Sequence, residues 1–345
     1  MIKKVLITGG SGFFGENLVS KLISKGYICS VLDLNSPDKS LTQNIVFHQV
    51  DIRDKKKVIK CCKDINIVIH CVAQVPLAKN KDLFQSVNYE GTRNILDAAK
   101  LNNCEHFIYL SSSAVYGVPD FNPINELSNT NPCEDYGKAK LDGEHLVNKF
   151  NKDGLNTTII RPRTILGNGR LGIFQILFEW IYKGKNIPVF DKGVNTYQFI
   201  HSNDLVDSII LCCKKNAYGI YNIGAEEYCS MHETLSELII HSKSKSKIKS
   251  LNSNFVIPIM NLFSMLGLSP LASYHAKMYG KSIYFDISKS KKELNWNAKY
   301  SNIEMIKESY DWYIKNRNKV LKSKGNSQHK SIVKQRILYF FSKIF

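Results

Sequence analysis

The chain has 345 residues, 43% of them hydrophobic, enough for a sizeable core in one large or two unequal domains. Its net charge of +17 raises the question of nucleic acid, yet nine Lys or Arg and no acidic residue lie from Lys315 onward. About half the excess therefore sits in one terminal stretch, and no nucleic-acid partner is expected of the main body.

In chain order, Met1-Ile2-Lys3-Lys4 runs straight into Val5-Leu6-Ile7, an apolar run too short for a secretory signal and read as a first strand over 2–7. It ends at Thr8-Gly9-Gly10-Ser11-Gly12-Phe13-Phe14-Gly15, after which Leu18, Leu22 and Ile23 mark a helix. Strands are predicted at 27–32 (ending at Asp33), 45–50, 65–71, 107–110 and 157–160 (ending at Arg161-Pro162), with helices between them, as at 92–99. Strands that are apolar throughout and alternate with helices predict an α/β fold, a doubly wound parallel sheet covered on both faces. Beyond Gly167 the alternation becomes irregular. Short strands are expected at 197–200 and 220–223, and helices at 205–213 and 234–241. The lysines at 243, 245, 247 and 249 read as a solvated charge run. The uncharged stretch 254–271 reaches membrane-spanning length, but Pro258, Gly267 and Pro270 favour a packed or substrate-covering segment. Nine scattered cysteines with no C-x-x-C predict reduced thiols, no metal and a cytoplasmic setting.

The glycine turn has the context a dinucleotide site needs: a strand before it, a helix after it, and an acid, Asp33, 18 positions beyond Gly15. One glycine permits the tight turn, the next admits the pyrophosphate, and the last lets helix and strand pack closely. The helix N-terminus faces the phosphates. The Asp33 carboxylate suits ribose hydroxyls and repels a 2′-phosphate, so NAD is expected rather than NADP. The predicted division is a dinucleotide-binding Rossmann domain over 1–165, joined by later strands near 197–223. A smaller, mainly substrate-binding part covers 166–312, and a basic amphipathic tail 313–345.

Glycines at 9, 12 and 15 resemble those of the extended short-chain dehydrogenase/reductase family, the nucleotide-sugar epimerase-like group of NAD-dependent epimerases and dehydratases. The resemblance covers nearly the whole chain. It implies that Gly9, Gly12, Phe13, Phe14, Gly15 and Asp33 hold the cofactor, that Asp51 and Ile52 hold its adenine, and that Ala73 (in Val68–Ala73), Asn88 and Arg163 lie beside it.

Ser111-Ser112-Ser113-Ala114-Val115-Tyr116-Gly117 falls at the end of the fifth strand, and Tyr136-Gly137-Lys138-Ala139-Lys140 opens a helix. Residues i and i+4 share a helix face, so Tyr136 and Lys140 project together. In the family pattern Tyr136 is the base that takes a proton from a substrate hydroxyl while hydride leaves its carbon. Lys140 lowers the tyrosine pKa and holds the nicotinamide ribose, and Ser112 bonds the reacting oxygen, with Ser111 and Ser113 as alternatives. Lys138 lies on another face and is read as solvated.

For the substrate the pattern loosens. Thr164 stands where many nucleotide-sugar enzymes of the family carry asparagine, and Tyr197 where they carry a diphosphate-binding arginine. Arg163 and Arg170 are the nearest substitute cations. The expected substrate set is Ser113, Thr164, Arg170 and Tyr197. No Asp-Glu follows Ser112, which disfavours elimination. The reading is an NAD-dependent epimerase or oxidoreductase acting on a nucleotide sugar in surface-polysaccharide synthesis. Its alternatives are a hydroxysteroid-dehydrogenase-like enzyme and a non-catalytic NAD-binding scaffold. A homodimer is left open. In 331–345, Val333, Ile337, Phe340 and Ile344 share one helical face among basic residues, which suggests peripheral contact with an acidic membrane.

Overall fold

In the computed structural model, residues 2–74, 83–170, 173–254, 256, 258 and 280–322 are described. A seven-stranded, all-parallel sheet forms the centre, in the order β10-β6-β5-β4-β1-β2-β3. Its strands are β1 Lys4–Thr8, β2 Ile28–Asp33, β3 Ile45–Gln49, β4 Ile67–His70, β5 His106–Leu110, β6 Thr157–Pro162 and β10 Gly219–Ile223. β4, β5 and β6 are buried at every residue, because helices cover both faces. Successive residues face opposite sides. Thus Val5, Ile7, Ile67, Ile69 and Ile108 enter one core, while Leu6, Val68, Phe107 and Tyr109 enter the other. The expected strands stand within two residues of their predicted ends.

The helices are α1 Phe13–Ser24, α2 Lys39–Thr42, α3 Lys55–Cys61, α4 Gly91–Leu101, α5 Asp135–Lys152, α6 Ile173–Tyr182, α7 Ser202–Lys215, α8 Met231–His241, α9 Ser288–Leu294 and α10 Asn302–Lys322. Phe14, Leu18, Val19 and Leu22 form the buried face of α1. A π-helical turn, Phe84–Glu90, leads into α4, and a single 3-10 turn, Ser113–Tyr116, follows β5. Strand order reverses at β1, between β4 and β2, so the crevice beyond their carboxyl ends is where ligands of such sheets bind. The glycine turn and Cys71–Ala73 both lie at that end.

Of the two strands expected over 197–223, β10 pairs with β6 in register Gly219↔Thr158 through Ile223↔Pro162 and so joins the main sheet, whereas β9 Phe199–His201 lies outside it. Beyond β6, three strands were not expected: β7 Thr164–Leu166, which pairs with the expected β9, and β8 Ile187–Phe190, which pairs with β11 Ile248–Leu251. β11 begins inside the lysine run, whose four lysines are all exposed. A third core gathers Leu166, Phe174, Phe178, Leu235, Met305, Tyr313 and Val320. α10 is continuous across 312/313, and Tyr313 and Val320 are buried on it, so 313–322 belong to this core rather than to a tail. Arg317, one of the terminal cations, makes a two-pronged ion pair with Glu179 of α6 at 2.7 and 2.8 Å. The segment 331–345 and most of 254–271 lie outside the described residues. Among the described residues no helix is long and apolar enough to cross a membrane, and no group of His, Cys, Asp or Glu could hold a metal ion.

Candidate active site

The glycine turn folds as its composition requires. Gly9 has φ +73°, the left-handed region that glycine enters without strain, and its N–H donates to the Leu32 carbonyl at 2.9 Å. A Cβ on Gly15 would lie 2.2 Å from the Gly9 carbonyl oxygen, so only glycine lets α1 pack against the turn. A Cβ on Gly12 would meet only that same oxygen, at 3.4 Å. Gly12 therefore leaves open the space above the N-terminus of α1, where a phosphate would approach. Asp33, at the tip of β2, accepts the Ser11 N–H at 3.1 Å and the Asn35 N–H at 3.0 Å. Its carboxylate thus stands beside the turn, as a ribose-binding acid must.

The remaining residues expected at the cofactor are placed as follows. Asp51 follows β3 and is gripped by the Arg53 guanidinium, with contacts of 2.6 to 3.1 Å, which holds its carboxyl below the usual range. Ile52 is buried against Gly91, whose Cβ would meet it at 2.7 Å. Asn88 is buried and makes a reciprocal pair with the Gln74 backbone, accepting at 2.7 Å and donating at 3.1 Å. It therefore fixes the loop that carries Ala73. Phe14 is buried in the core beneath the turn, and Phe13 lies under the Arg170 guanidinium at 5.8 Å. These glycines, the α1 N-terminus and Asp33 stand together in an arrangement that fits NAD.

A buried relay supports this end of the sheet. His70 bonds Thr8 Oγ1 at 2.6 Å and Thr92 Oγ1 at 2.9 Å, and Thr92 donates to the Asn88 carbonyl at 2.7 Å. Burial pulls His70 down to about 3, with the Lys140 charge adding to the effect, so the ring is neutral. His70 sits inside the Val68–Ala73 motif, but periodicity alone gives it no role beyond an inward strand position.

Ser112, Tyr136 and Lys140 come together. Ser112 caps the 3-10 turn after β5 by accepting the Ala114 N–H at 3.2 Å, and its hydroxyl favours the ionised Tyr136 phenol. Glu134 caps α5 by accepting the Tyr136 and Gly137 N–H groups, each at 2.7 Å, which fixes the start of the helix that carries the tyrosine. A Cβ on Gly137 would lie 2.6 Å from the Ala114 carbonyl, so α5 approaches the serine turn as closely as glycine permits. One turn on, Lys140 is 3% exposed and donates to the Leu110 carbonyl at 2.6 Å. Burial lowers the ammonium to about 8, against the opposing pull of Cys71 and Glu144. Burial pushes the Tyr136 phenol up to about 12; the Ser112 hydroxyl and the Arg170 charge pull it down, and the Glu134 charge raises it.

The alternative serines separate. Ser111 is buried and donates to Glu144 at 2.5 Å, inside a network in which Arg161 grips Glu144 through Nε at 2.9 Å and a second nitrogen at 2.5 Å. Arg161 also donates to Tyr116 at 2.7 Å, and Tyr116 to Asn222 at 2.9 Å. This network locks β5, β6, β10 and α5 together and uses up Ser111. Ser113 is half-buried at the start of the 3-10 turn.

On the other wall, Thr164 Oγ1 and the Tyr197 phenol, the two departures from the family pattern, share a hydrogen bond of 2.9 Å. Arg163 lies beneath them, 3% exposed, between the Tyr197 ring at 4.7 Å and the Phe285 ring at 5.4 Å, and donates to the Gln198 carbonyl at 3.2 Å. Arg170 lies over the Phe13 ring, and its charge favours the ionised Tyr136 phenol.

Known proteins match this arrangement over its full extent. The family model described as the NAD dependent epimerase/dehydratase family covers residues 5–224. An uncharacterised protein of Sinorhizobium fredii is 47% identical over 98% of this chain and 85% of its own length. A putative UDP-glucose 4-epimerase of Methanocaldococcus jannaschii is 29% identical over 91% of this chain and 99% of its own. Among solved structures, the Bordetella bronchiseptica enzyme WbmG in complex with NAD superposes with a TM-score of 0.75 at 19% identity, covering 91% of this chain and 95% of that one. The matched span runs from the glycine turn through Ser112, Tyr136 and Lys140 to β10: the chain belongs to the NAD-dependent epimerase/dehydratase family.

Proposed function

We propose that the chain interconverts the configuration or oxidation state of one carbon of a nucleotide sugar, in surface-polysaccharide synthesis. Bound at the turn, NAD supplies the acceptor and donor of hydride. The observation that carries the reading is the convergence of the serine turn and the helix that carries Tyr136, with Lys140 docked on the strand end between them. The epimerase named among the relatives supports the sugar class.

Tyr136 takes the proton from the substrate hydroxyl and returns it to the product. A phenol pushed up to about 12 is a poor base, so the site must add positive charge to ionise it near neutral pH. Lys140, at about 8, is largely cationic there. Its ammonium has three protons, one of them on Leu110, and the others serve the nicotinamide ribose. Ser112 bonds the reacting oxygen and holds it against the phenol. Gly9, Gly12, Phe13 and Gly15 receive the diphosphate, Asp33 the adenosine ribose, and Ile52 with Asp51 the adenine. Ala73 and the Asn88-held loop close the nicotinamide side. Ser113, Thr164 and Tyr197 line the sugar side. The Thr164–Tyr197 pair offers neutral hydrogen bonds where an arginine would offer charge, which selects on the sugar more than on the diphosphate.

The test is a panel of UDP-, GDP- and dTDP-sugars with hydroxysteroids, read by NADH absorbance and product stereochemistry. A nucleotide sugar inverted at one carbon without net NADH supports an epimerase, and net NADH supports a dehydrogenase. Turnover of hydroxysteroids alone overturns the sugar assignment. NAD binding with no turnover of any of them, and no turnover-linked spectral change, overturns the enzyme reading in favour of a scaffold.

A further inference from the structure

The ammonium of Lys140 is buried at the end of β5, and two neighbouring residues of that strand receive it. The Leu110 carbonyl accepts one of its protons at 2.6 Å, and the Tyr109 ring presents its face, with Nζ 4.8 Å from the ring centre. Both side chains are shut away from water, Lys140 being 3% exposed and Tyr109 1%. Two further contacts fix the ring. His70 pairs with Tyr109 in register across β4 and β5, and the two rings lie 5.8 Å apart and 29° from parallel. His70 is itself bonded to Thr8 and Thr92. The phenol end runs under α5, where its oxygen lies 3.5 Å from the Lys140 carbonyl. A Cβ on Gly143 would come within 2.2 Å of that oxygen, so glycine at 143 leaves the ring its place. Glu144, one helical turn beyond Lys140, is already gripped by Arg161 and bonded by Ser111.

We propose that Tyr109 is a positioning residue for Lys140: its ring face attracts the buried ammonium and, with the Leu110 carbonyl, holds it charged at the strand end. The inference rests on the reading of Lys140 as the cation that serves Tyr136 and the nicotinamide ribose, and it deepens that reading. A cation is drawn to the electron-rich face of an aromatic ring, most strongly where water is excluded. A carboxylate in the same place would accept protons that the ribose hydroxyls need, and it would cancel the charge that a phenolate needs. The ring carries no net charge, so the ammonium keeps its own. The titratable and charged groups around Lys140 are His70 and Cys71 from the end of β4, Tyr109 from β5, and Tyr136 and Glu144 from its own helix. Burial keeps His70 and the Tyr109 phenol neutral, and Glu144 is paired with Arg161. The ring and the Leu110 carbonyl thus offset the burial of the charge.

The experiment reads Lys140 directly. In the NAD complex of protein carrying 13Cε-labelled lysine, the Lys140 resonance, assigned by its absence in Lys140→Met, gives the ionisation midpoint. The alkaline limb of kcat/KM gives the effect on turnover. The ring favours the ammonium, so its removal lowers the lysine pKa and the cation is lost at lower pH. Tyr109→Leu should therefore move midpoint and limb to lower pH by about one unit, the scale of a desolvated cation–ring contact. Tyr109→Phe, which keeps the ring, should leave both nearly in place. Because Tyr109→Leu also opens a cavity, position 109 is filled in parallel with phenylalanine bearing one, two or three fluorines. These keep the shape and thin the electron density of the ring face. Midpoint and limb should fall stepwise with fluorine number, which packing alone does not produce. A midpoint that stays still along the fluorine series overturns the inference. So does a shift in Tyr109→Phe as large as in Tyr109→Leu, which would assign the effect to the phenolic hydroxyl. A midpoint that moves while the limb stays still upholds the ring's hold on Lys140 and shows that the reading of Lys140 in turnover has failed instead.

Discussion

Lys140 Nζ donates to the Leu110 carbonyl oxygen at 2.6 Å, so the helix that carries the tyrosine is pinned by its lysine to the strand that leads to the serine. This contact ties protein chemistry to pH. Lys140 sits at about 8 because burial outweighs the attraction of Cys71 and Glu144. Its cation is present below that value and is lost as pH rises through it. The kcat/KM profile should therefore fall on the alkaline side near pH 8. Lys140→Met, which keeps the apolar stem, should lose that limb and about 100-fold or more of kcat. The check is a pair of pH-rate profiles with far-UV circular dichroism to confirm folding.

The two glycines beyond Gly9 make a contrasting pair. In Gly15→Ala helix propensity favours alanine by about 1 kcal/mol, but overpacking costs about 1–3 kcal/mol. With the new Cβ 2.2 Å from a backbone oxygen, the clash should win and the melting temperature should fall. Gly12→Ala, whose Cβ meets its neighbour at 3.4 Å, should fold normally and lose NAD affinity. Thermal melts and NAD titrations on both variants separate the two effects.

Glu144 and Arg161 form a buried pair, 1% and 4% exposed. Removal of one partner leaves a buried charge, which costs about 3–5 kcal/mol. Glu144→Ala should show that loss in urea unfolding, and Glu144→Ala/Arg161→Met should recover part of it. A single-variant loss below about 1 kcal/mol would show that the network is not structural.

Three neutral histidines set the acid stability of the fold. Burial lowers His70 to about 3 and His106 and His201 to about 4, and all three are at most 1% exposed. Depressed folded values mean that the unfolded chain takes up protons first. Stability is therefore intact above the ordinary histidine pKa near 6.5 and is lost as pH falls from there toward 4. Near pH 5.5 each contributes a loss of about 1.4 kcal/mol. His106→Gln should make the slope of unfolding free energy between pH 6.5 and 5 about one third shallower.

The first half of the chain was legible because its signals are local. The turn needs glycine at 9 and 15 for steric reasons, and the i, i+4 spacing of Tyr136 and Lys140 puts both on one face. What could not be read was long-range. Glu144 and Ser111 meet 33 residues apart, and Ser309 reaches Gly167 across 142. No pattern in either segment announces these pairs. β7, β8 and β11, three or four residues long, and α6, Ile173–Tyr182, were missed; the apolar residues of α6 do recur with helical spacing, so its period was there to be read. The expected tail was cut too early because the basic side chains of α10 outnumber the buried Tyr313 and Val320 that anchor it.

The most direct measurement is turnover and NAD affinity in Tyr136→Phe, on whichever nucleotide sugar the panel identifies. The phenyl ring keeps the packing and loses only the phenolic hydroxyl. The account predicts a fall in kcat on the order of 10²–10⁴, with the NAD dissociation constant changed by no more than about threefold. Turnover within a few-fold of the wild-type protein would contradict it.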